Sequence, residues 1–438
     1  MPWYEALLFL LSIVLVLMLI GAPVAFAFIG ANLVGAWYFM GGNSGLIQIL
    51  NNGFGSLSSF GLVPIPLFLL MGELFFRTGL GMRMFNAIDQ LMGRVPGRLS
   101  YVTVVGGTAF STLSGSSMGS TALLGSLLVP EMERRGYKRY MSIGPILGTG
   151  GLAIIIPPSA IAVLLATLAK IDIGDVLIGG IIPGLLLASL YVGTIWLKTR
   201  LNPNAAPAYD VEVVPLSQKL KIFARDIMPM LSIIVMIVVM MLTGFATPSE
   251  SAAFGALGII VLAIVFKGLS VESFKQSVIG ALKVTLMAYL IVFGSATFSQ
   301  LLAFSGASSG LIQWAISFDL SPMLMLLAMF LVLLALGTFM EAISIMMITV
   351  PFFFPLAESL GFDLVWFAII TLVALEVGFS TPPLGLNLFV MKGVAPPGTT
   401  MREIYMASIP YIICSLILVG VMVMFPSIVT WLPGLSVN

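Results

Sequence analysis

The strongest constraint on this chain is a succession of apolar stretches, each long enough to cross a lipid bilayer. They lie at 5–20, 22–40, 62–77, 140–168, 175–197, 227–245, 248–266, 284–304, 364–391 and 404–425. A bilayer core is spanned by about 20 apolar residues in a helix, and irregular backbone survives at that depth only where protein or a cavity covers it. The sequence therefore predicts an all-α polytopic membrane protein.

Charged residues are scarce, which agrees with a membrane location and excludes several kinds of chemistry. They make up 8% of the 438 residues, whereas soluble domains carry roughly 25%. A net charge of +1 provides no basic face for nucleic acid. The absence of histidine excludes imidazole metal sites and Ser–His catalysis, and Cys414 has no second cysteine with which to form a disulfide. We expect neither an enzyme nor a nucleic-acid partner.

Two further apolar stretches, 100–129 and 321–355, carry small polar residues at their centres. The first contains TAFSTLSGSSMGST, and the second contains GTFMEA at the corresponding place. Interrupted backbone at membrane depth is typical of re-entrant segments that are buried in protein. Each stretch is therefore predicted to form a re-entrant hairpin.

Other segments are predicted to lie outside the spans. The stretches 45–57, 82–94 and 270–282 place apolar residues on one helical face, which is typical of helices lying in the membrane plane. The stretch 200–226 is the only long polar one and is predicted to link two halves of the chain. Thr247-Pro-Ser-Glu250 has the spacing of a capping box at a helix start.

The two halves repeat each other at an offset of 225 residues, the separation of Pro157 from Pro382. At a given offset, roughly one proline would match another by chance, so four matches in one register favour a duplication. Proline and glycine recur in eight pairs: Pro23 with Pro248, Pro130 with Pro355, Pro157 with Pro382, Pro158 with Pro383, Gly30 with Gly255, Gly55 with Gly280, Gly81 with Gly306, and Gly136 with Gly361.

Charge predicts that the second repeat is inverted. The stretch 134–139 carries four basic residues, whereas the equivalent 359–364 carries one Asp and no basic residue. Under the positive-inside rule the first loop is cytoplasmic and the second is not. Five spans plus one hairpin per half is an odd number of crossings, which gives the same answer. We predict two inverted-topology repeats, each of about five transmembrane helices plus a re-entrant hairpin, as in many secondary transporters.

The proline pairs Pro157–Pro158 and Pro382–Pro383 lie inside apolar stretches, where each predicts that a helix stops and restarts. A helix that stops presents carbonyl groups, and one that restarts presents N–H groups with a positive dipole end. Oxygens coordinate a small hard cation, and the N–H end attracts a carboxylate. We therefore expect two pseudo-symmetric Na⁺ sites with an anion site between them. A packing kink is the alternative at either pair, and the recurrence of the pair disfavours it.

The candidate ligands lie at the hairpin centres and at the helix breaks. The predicted first Na⁺ site comprises Ser114, Gly115, Ser116, Gly151, Ile154 and Pro157, and the second comprises Gly337, Thr338, Gly378, Thr381 and Pro382. The substrate-binding candidates are Ser117, Ser159, Ser380 and Asn387. Glu73, Glu341 and Glu376 lie in apolar stretches, where ionisable groups are functional candidates by default, and Glu341 and Glu376 are candidates for proton coupling. The alternative is that each is protonated or paired with a neighbouring helix.

Three motifs, GSSMGSTALLGSLLVPEMERRGY, IIIPPSAIAV and TPSESAAFGA, are similar to those of a known family. Over essentially its whole length the chain resembles the large membrane subunit of TRAP transporters, the DctM/SiaM-like permeases. The resemblance implies a multi-pass protein of the bacterial inner membrane that imports an organic anion with Na⁺ as the coupling ion. Dicarboxylates, keto acids and acidic sugars such as sialic acid are the substrates it implies. It also implies a small four-helix membrane subunit and a soluble periplasmic substrate-binding protein as partners, besides membrane lipid.

The same resemblance implies an elevator mechanism, in which a transport domain slides past a scaffold. The transport domain is expected at 100–170 and 321–392, each with a hairpin and a broken helix, and the scaffold at 1–99, 171–320 and 393–438, with a cytoplasmic linker at 200–226. Two alternatives stay open. A stand-alone Na⁺/dicarboxylate symporter would transport without a binding protein, and an inverted-repeat channel would show passive flux without a Na⁺ gradient.

Overall fold

The computed structural model describes residues 1–209 and 214–436, which form α-helices and short helical turns without a β-strand among them. The first half contains α1 (Trp3–Leu19), α2 (Val24–Phe39), α3 (Asn43–Leu57), α4 (Pro64–Arg77), α5 (Leu80–Leu91), α6 (Arg98–Ser114), α7 (Ser117–Arg134), α8 (Arg139–Ile155), α9 (Ala160–Ala169), α10 (Ile173–Gly179), α11 (Ile181–Leu201) and α12 (Leu216–Ile222). The second half contains α13 (Met228–Leu242), α14 (Pro248–Val265), α15 (Val271–Phe304), α16 (Ala307–Ile316), α17 (Pro322–Gly337), α18 (Ala342–Ser359), α19 (Leu364–Phe379), α20 (Leu386–Val394), α21 (Met401–Met424) and α22 (Ser427–Thr430).

Many of these helices have the length and apolar composition of transmembrane helices. Within the described residues, seven helical stretches are long and apolar enough to cross a membrane, and the bent pair α8–α9 makes an eighth. Four further apolar helices, α1, α2, α17 and α19, are shorter, at 16 or 17 residues. The prediction of an all-α polytopic membrane protein is confirmed.

Both predicted hairpins are present as two helices joined at a short tip. Hairpin 1 consists of α6 and α7 and turns at Gly115, whose φ of 63° is a left-handed conformation that glycine adopts readily. The next residue, Ser116, caps α7 by accepting a hydrogen bond from the Gly119 N–H at 3.0 Å. Hairpin 2 consists of α17 and α18, and Glu341 occupies the N-cap position of α18. The polar tip sequences thus mark where the helices end.

The two proline pairs interrupt helices as expected. The first helix stops at Ile155, and its continuation α9 begins at Ala160 with its axis bent by 45°. Ser159 is the N-cap of α9 and accepts a hydrogen bond from the Ala162 N–H at 3.3 Å. In the second half, α19 and α20 are separated by residues 380–385, which include the second proline pair. Proline has no N–H to donate and clashes with the preceding turn, so neither helix continues through its pair.

Helix bounds recur at the offset found in the sequence. The second helices of the two hairpins, α7 and α18, match at both ends when 225 is added to the residue numbers of α7. By the same shift α8 and α19 begin at equivalent residues, and α9 and α20 end at equivalent residues. The matching bounds support a structural repeat. Its inverted orientation stays a prediction.

One amphipathic segment differs from the sequence expectation. The stretch 270–282 is not a separate interfacial helix, because Val271–Phe304 forms one helix of 34 residues. The equivalent part of the first half is divided into α3 and α4 by a 3₁₀ turn at Phe60–Leu62 and by Pro64 and Pro66. Since α15 contains no proline, its backbone hydrogen bonds continue without interruption. The other two amphipathic segments form the separate helices α3 and α5.

Two further local expectations have clear outcomes. Thr247 and Glu250 form the predicted capping box: Glu250 Oε2 accepts from the Thr247 N–H at 2.8 Å, and Thr247 Oγ1 accepts from the Glu250 N–H at 3.3 Å. In the stretch predicted as a linker, helix α12 begins at Leu216 and continues through a π-helical segment, Phe223–Ile227, into α13. Four residues of that stretch, 210–213, lie outside the described part of the chain.

For description we divide the helices into two bodies, which also pack against each other where α4 and α5 meet α6 and where α15 meets α18. We define the hairpin body as α6–α11 and α17–α22, in which α8 is central and packs against α6, α7, α11 and α21. We define the frame as α1–α5 and α12–α16, in which α15 packs along α2, α3 and α4. Helices α11 and α21 fall within the ranges expected for the scaffold, yet they pack on α8. Glycines in α8 explain this packing, because a Cβ at Gly144 or Gly148 would lie 2.5 or 2.6 Å from the ring of Tyr411 in α21.

Candidate functional site

A cavity of about 240 Å³ lies between the two bodies, and we call it the hairpin cavity. The tips of both hairpins and the break between α8 and α9 form one wall, and α4 and α15 of the frame form the other. The hairpin body contributes Ser114, Gly115, Ser116, Ser117, Met118, Ile154, Ala160, Ile161, Leu164, Glu341, Ala342, Ile343 and Phe379, and the frame contributes Ile65, Leu69, Glu73, Ala281, Val284, Met287 and Ala288.

Three helices begin at the hairpin cavity. The first residues of α7, α9 and α18 all line it, and these helices contain 18, 10 and 18 residues. The first N–H groups of a helix have no partner within the helix, and its N-terminus carries a partial positive charge. Such ends are ready-made sites for carboxylate, phosphate and sulfate groups. The cavity therefore presents three anion-attracting ends from three separate helices.

The charged side chains of the cavity have the opposite sign. Glu73 and Glu341 line it, and the described residues of its wall include no Lys or Arg. Glu73 belongs to the frame, where it accepts a hydrogen bond from Arg77 Nε at 2.6 Å. Glu341 belongs to hairpin 2 and makes no capping hydrogen bond with α18. An anion in this cavity would therefore rely on helix ends, hydroxyls and bound cations.

The predicted first Na⁺ site is partly assembled around the cavity. Ser114, Gly115, Ser116 and Ile154 line the cavity together, whereas Gly151 and Pro157 are buried behind it. Several of its oxygens already have partners. The Ser114 and Ser120 hydroxyls share a hydrogen bond of 2.9 Å, and the Ile154 carbonyl accepts one from Ser159 Oγ at 2.9 Å. Hairpin 1 and the first helix break thus converge, and the assignment of these residues as ligands stays a prediction.

The predicted second site lies where α17 meets α19. Gly337 and Gly378 are in backbone contact, since a Cβ on either would lie 2.7 Å from the Cα of the other. Thr338 Oγ1 donates to the Ala335 carbonyl at 2.7 Å, and Thr381 Oγ1 donates to the Val377 carbonyl at 2.6 Å. The fifth predicted residue, Pro382, follows in the break. The C-terminal ends of α17 and α19 therefore meet, and the assignment of these residues as Na⁺ ligands stays a prediction.

The four substrate-binding candidates occupy different positions. Ser117 lines the cavity, but Ser159, Ser380 and Asn387 are buried outside its wall. Asn387 Nδ2 donates to Ser117 Oγ at 2.7 Å, so Asn387 lies directly behind the cavity-lining serine. Ser380 Oγ lies 3.5 Å from Glu376 Oε1 in the interior of the hairpin body. These contacts place three of the four candidates behind the wall rather than in it.

The frame residues that line the cavity could not be recognised from local sequence signals. Glu73 lies in the apolar stretch 62–77, and its i, i+4 spacing from Arg77 resembles that of an ordinary surface ion pair. Gly72 permits close contact between α4 and hairpin 1, because a Cβ there would lie 2.4 Å from the Ser114 carbonyl oxygen. Which helix faces the hairpin tips depends on tertiary packing, so only the intramembrane position of Glu73 hinted at this role.

A known protein family matches nearly the whole length of this chain. Residues 11–428 match the family described as "Tripartite ATP-independent periplasmic transporter, DctM component". The chain belongs to this family. The all-helical fold, the paired hairpins and the broken helices described above are therefore those of a TRAP transporter large permease.

Relatives of this chain carry names that refer to several substrates. The C4-dicarboxylate TRAP transporter large permease protein DctM of Pseudomonas aeruginosa is 31% identical over 386 residues, which are 87% of each chain. The isethionate TRAP transporter permease protein DctMQ of Oleidesulfovibrio alaskensis is 31% identical over 86% of this chain and 59% of its own. The sialic acid TRAP transporter large permease protein SiaM of Vibrio cholerae is 27% identical over 96% of each chain.

Solved structures show a similar fold at low sequence identity. The YdaH transporter of Alcanivorax borkumensis superposes with a TM-score of 0.62 at 15% identity, and covers 89% of this chain and 90% of its own. MtrF of Neisseria gonorrhoeae superposes with a TM-score of 0.55 at 14% identity, over 86% of this chain and 84% of its own. The likeness concerns the fold alone.

Proposed function

We propose that this chain is the large membrane subunit of a Na⁺-coupled, binding-protein-dependent TRAP transporter that imports an organic carboxylate. The convergence of three helix N-termini on the hairpin cavity carries the proposal, because it supplies anion-binding N–H groups without a basic side chain. Relatives named for C4-dicarboxylates, isethionate and sialic acid support an organic anion as the cargo. The geometry favours none of these substrates over the others.

Charge balance in the cavity supports Na⁺ as the coupling ion. Glu73 is paired with Arg77, so the carboxylate that an entering anion meets beside the helix ends is that of Glu341. Na⁺ bound at the hairpin tips would reduce that repulsion, and the substrate would in turn favour retention of the ions. Binding energies coupled in this reciprocal way are what a symporter requires.

An elevator movement fits the way the two bodies meet. An apolar groove of about 760 Å³ lies between α11 of the hairpin body and α13 and the π-helical segment of the frame, and beside it α5 and α6 are in contact. We propose that the hairpin body moves as a unit relative to the frame. This division assigns α10, α11, α21 and α22 to the moving part, unlike the scaffold ranges 171–320 and 393–438 expected from the sequence.

A reconstitution experiment tests the proposed function. Uptake into proteoliposomes should require this chain, the small membrane subunit, the periplasmic binding protein loaded with its carboxylate, and an inward Na⁺ gradient. Transport by this chain alone would instead identify a stand-alone symporter. Passive flux without a Na⁺ gradient would identify a channel, and uptake driven by a pH gradient without Na⁺ would identify proton coupling.

The inverted repeat predicts that equivalent loops lie on opposite sides of the inner membrane. Arg134 and Ser359 are both exposed and are equivalent by the offset of 225 residues. In a Cys414→Ser background, a cysteine at position 134 should be protected from a membrane-impermeant maleimide added to the periplasmic side, whereas one at 359 should react. Equal labelling of both positions from one side would contradict the inversion.

The hydroxyl groups at the predicted Na⁺ sites should determine the Na⁺ requirement of uptake. Ser114→Ala, Ser116→Ala and Thr381→Ala each remove one candidate oxygen ligand, so each should raise the Na⁺ concentration for half-maximal uptake several-fold. Ser126→Ala on α7 is the control, because its exposed hydroxyl only donates to the Leu123 carbonyl at 2.9 Å. If all three site variants keep the Na⁺ dependence of this control, their hydroxyls do not bind the ion.

A further inference from the structure

A second polar cluster lies inside the hairpin body, behind the cavity wall. We call it the Glu376 cluster and define it as Ser117, Thr121, Glu376 and Asn387, from helices α7, α19 and α20. Their exposed fractions are 6%, 0%, 3% and 0%. Only Ser117 also lines the hairpin cavity. The cluster is therefore an almost fully buried polar centre with one member in the cavity wall.

Contacts within the cluster run through Ser117. Its hydroxyl accepts a hydrogen bond from Asn387 Nδ2 at 2.7 Å and faces the carboxylate of Glu376. Thr121 lies one helical turn after Ser117 on the same face of α7. A Cβ at Gly150 of α8 would lie 2.6 Å from Thr121 Oγ1 and 3.1 Å from the Ser117 carbonyl oxygen. The absence of a side chain at Gly150 thus leaves room for these oxygens beside α8.

Three oxygens of the cluster have no hydrogen-bond partner. They are Glu376 Oε2, Asn387 Oδ1 and Thr121 Oγ1, and each is buried. Among residues 1–209 and 214–436, no ion pair involves Glu376. An unpaired carboxylate and unpaired acceptors in a protein interior are costly, and such groups are normally found with a partner. The arrangement has the chemistry of an oxygen-ligand site, which carries one negative charge when Glu376 is ionised.

The Glu376 carboxyl group contacts the residue that the predicted repeat makes its equivalent. Glu376 and Gly151 are equivalent at the offset of 225 residues, and a Cβ at Gly151 would lie 2.0 Å from the carboxyl carbon of Glu376. If the predicted two-fold axis relates the repeats, two equivalent residues that touch lie near that axis. A site on the axis occurs once, whereas the hairpin sites occur twice. None of the four residues of the Glu376 cluster belongs to either predicted hairpin site, although Glu376 contacts Gly151, a residue of the first.

We infer that the Glu376 cluster binds one monovalent cation, Na⁺ under transport conditions, in addition to the ions at the two hairpin sites; the inference rests on the proposed Na⁺ coupling. Glu376 Oε2, Asn387 Oδ1, Thr121 Oγ1 and a Ser117 oxygen are its ligands. Small hard cations take such oxygen ligands, and one carboxylate balances a single positive charge. Because Ser117 also lines the cavity, occupancy of this site is coupled to the wall that the substrate contacts.

Na⁺-dependent thermal stability of the purified full-length chain tests the inference. The unfolding midpoint is measured as NaCl replaces choline chloride at constant ionic strength. A ligand that binds only the native state raises the midpoint, and the dependence on ligand concentration grows with the number of bound ions. Glu376→Gln should lose about one third of the dependence on the logarithm of Na⁺ concentration, if three equivalent ions bind. Glu358→Gln, at an exposed position of α18, should retain all of it.

Rescue and a milder variant separate ion binding from a structural role. Adding Asn387→Asp to Glu376→Gln returns a carboxylate to the cluster and should restore the Na⁺ dependence. If Glu376→Gln does not fold, Thr121→Val removes one ligand at similar volume and should raise the half-saturating Na⁺ concentration several-fold. Full Na⁺ dependence of the unfolding midpoint in Glu376→Gln would overturn the inference. So would a wild-type chain in which the stabilisation that depends on Glu376 follows pH and not the Na⁺ concentration. A wild-type chain with no Na⁺ response would instead refute the proposed Na⁺ coupling itself.

Discussion

Gly378→Ala should abolish Na⁺-driven uptake and lower thermal stability, because α17 and α19 touch through their backbones at this position. The new Cβ would lie 2.7 Å from Gly337 Cα and 3.2 Å from the Gly337 carbonyl carbon. Backbone atoms cannot rotate away as a flexible side chain would, so the two helices must separate. Overpacking of a buried contact costs roughly 1–3 kcal/mol, and here the displacement occurs within the predicted second Na⁺ site. Uptake assays and unfolding midpoints, with and without Na⁺, measure both effects.

Gly420→Ala is the matched control for Gly378→Ala. Gly420 lies inside the long helix α21, and nothing lies within 4 Å of a Cβ placed there. Alanine favours a helix over glycine by about 1 kcal/mol, so this variant should be as stable as the wild type or slightly more stable. If Gly378→Ala transports and unfolds as Gly420→Ala does, the close approach of α17 and α19 has no role in function.

Sequence signals were sufficient where the chain itself interrupts a helix. Pro157 and Pro158 lack the donors that a continuous helix requires, and Gly115 adopts a positive φ, so the breaks and the tip of hairpin 1 are local events. The same holds for the capping box at Thr247, whose partner is three residues away. The division of α3 from α4 also has a local cause in its prolines, and the lack of such a cause in α15 explains why the predicted interfacial segment is continuous with the span.

Contacts between distant helices could not be predicted in the same way. The burial of Asn387 against Ser117 joins residues that are 270 positions apart, and no periodicity in either helix indicates the pairing. Likewise α21 packs on α8 because two glycines of α8 face Tyr411, a match that becomes visible only when both helices are placed. The predicted substrate residues Ser159 and Ser380 carry the appropriate chemistry, but tertiary packing decides which hydroxyls line the cavity.

Ile161→Glu should eliminate binding of the carboxylate substrate to the hairpin cavity while leaving the fold intact. Ile161 lines the cavity in the first turn of α9, so a carboxylate there can occupy the helix end that is proposed to bind the substrate. Two negative charges roughly 5 Å apart at an effective dielectric of about 20 repel by about 3 kcal/mol. That energy corresponds to a loss of affinity on the order of 100-fold.

Ile161→Gln isolates the effect of that charge, because glutamine has nearly the same size and shape as glutamate. The Gln variant should retain measurable uptake and the wild-type Na⁺ dependence of thermal stability, whereas the Glu variant should lose uptake. Uptake by the reconstituted complex and substrate protection of a cysteine placed at Met118, which also lines the cavity, measure the difference. If the Gln and Glu variants are equally active, the N-terminus of α9 does not bind the substrate anion, and its recognition must then rest on the N-termini of α7 and α18 in the two hairpins.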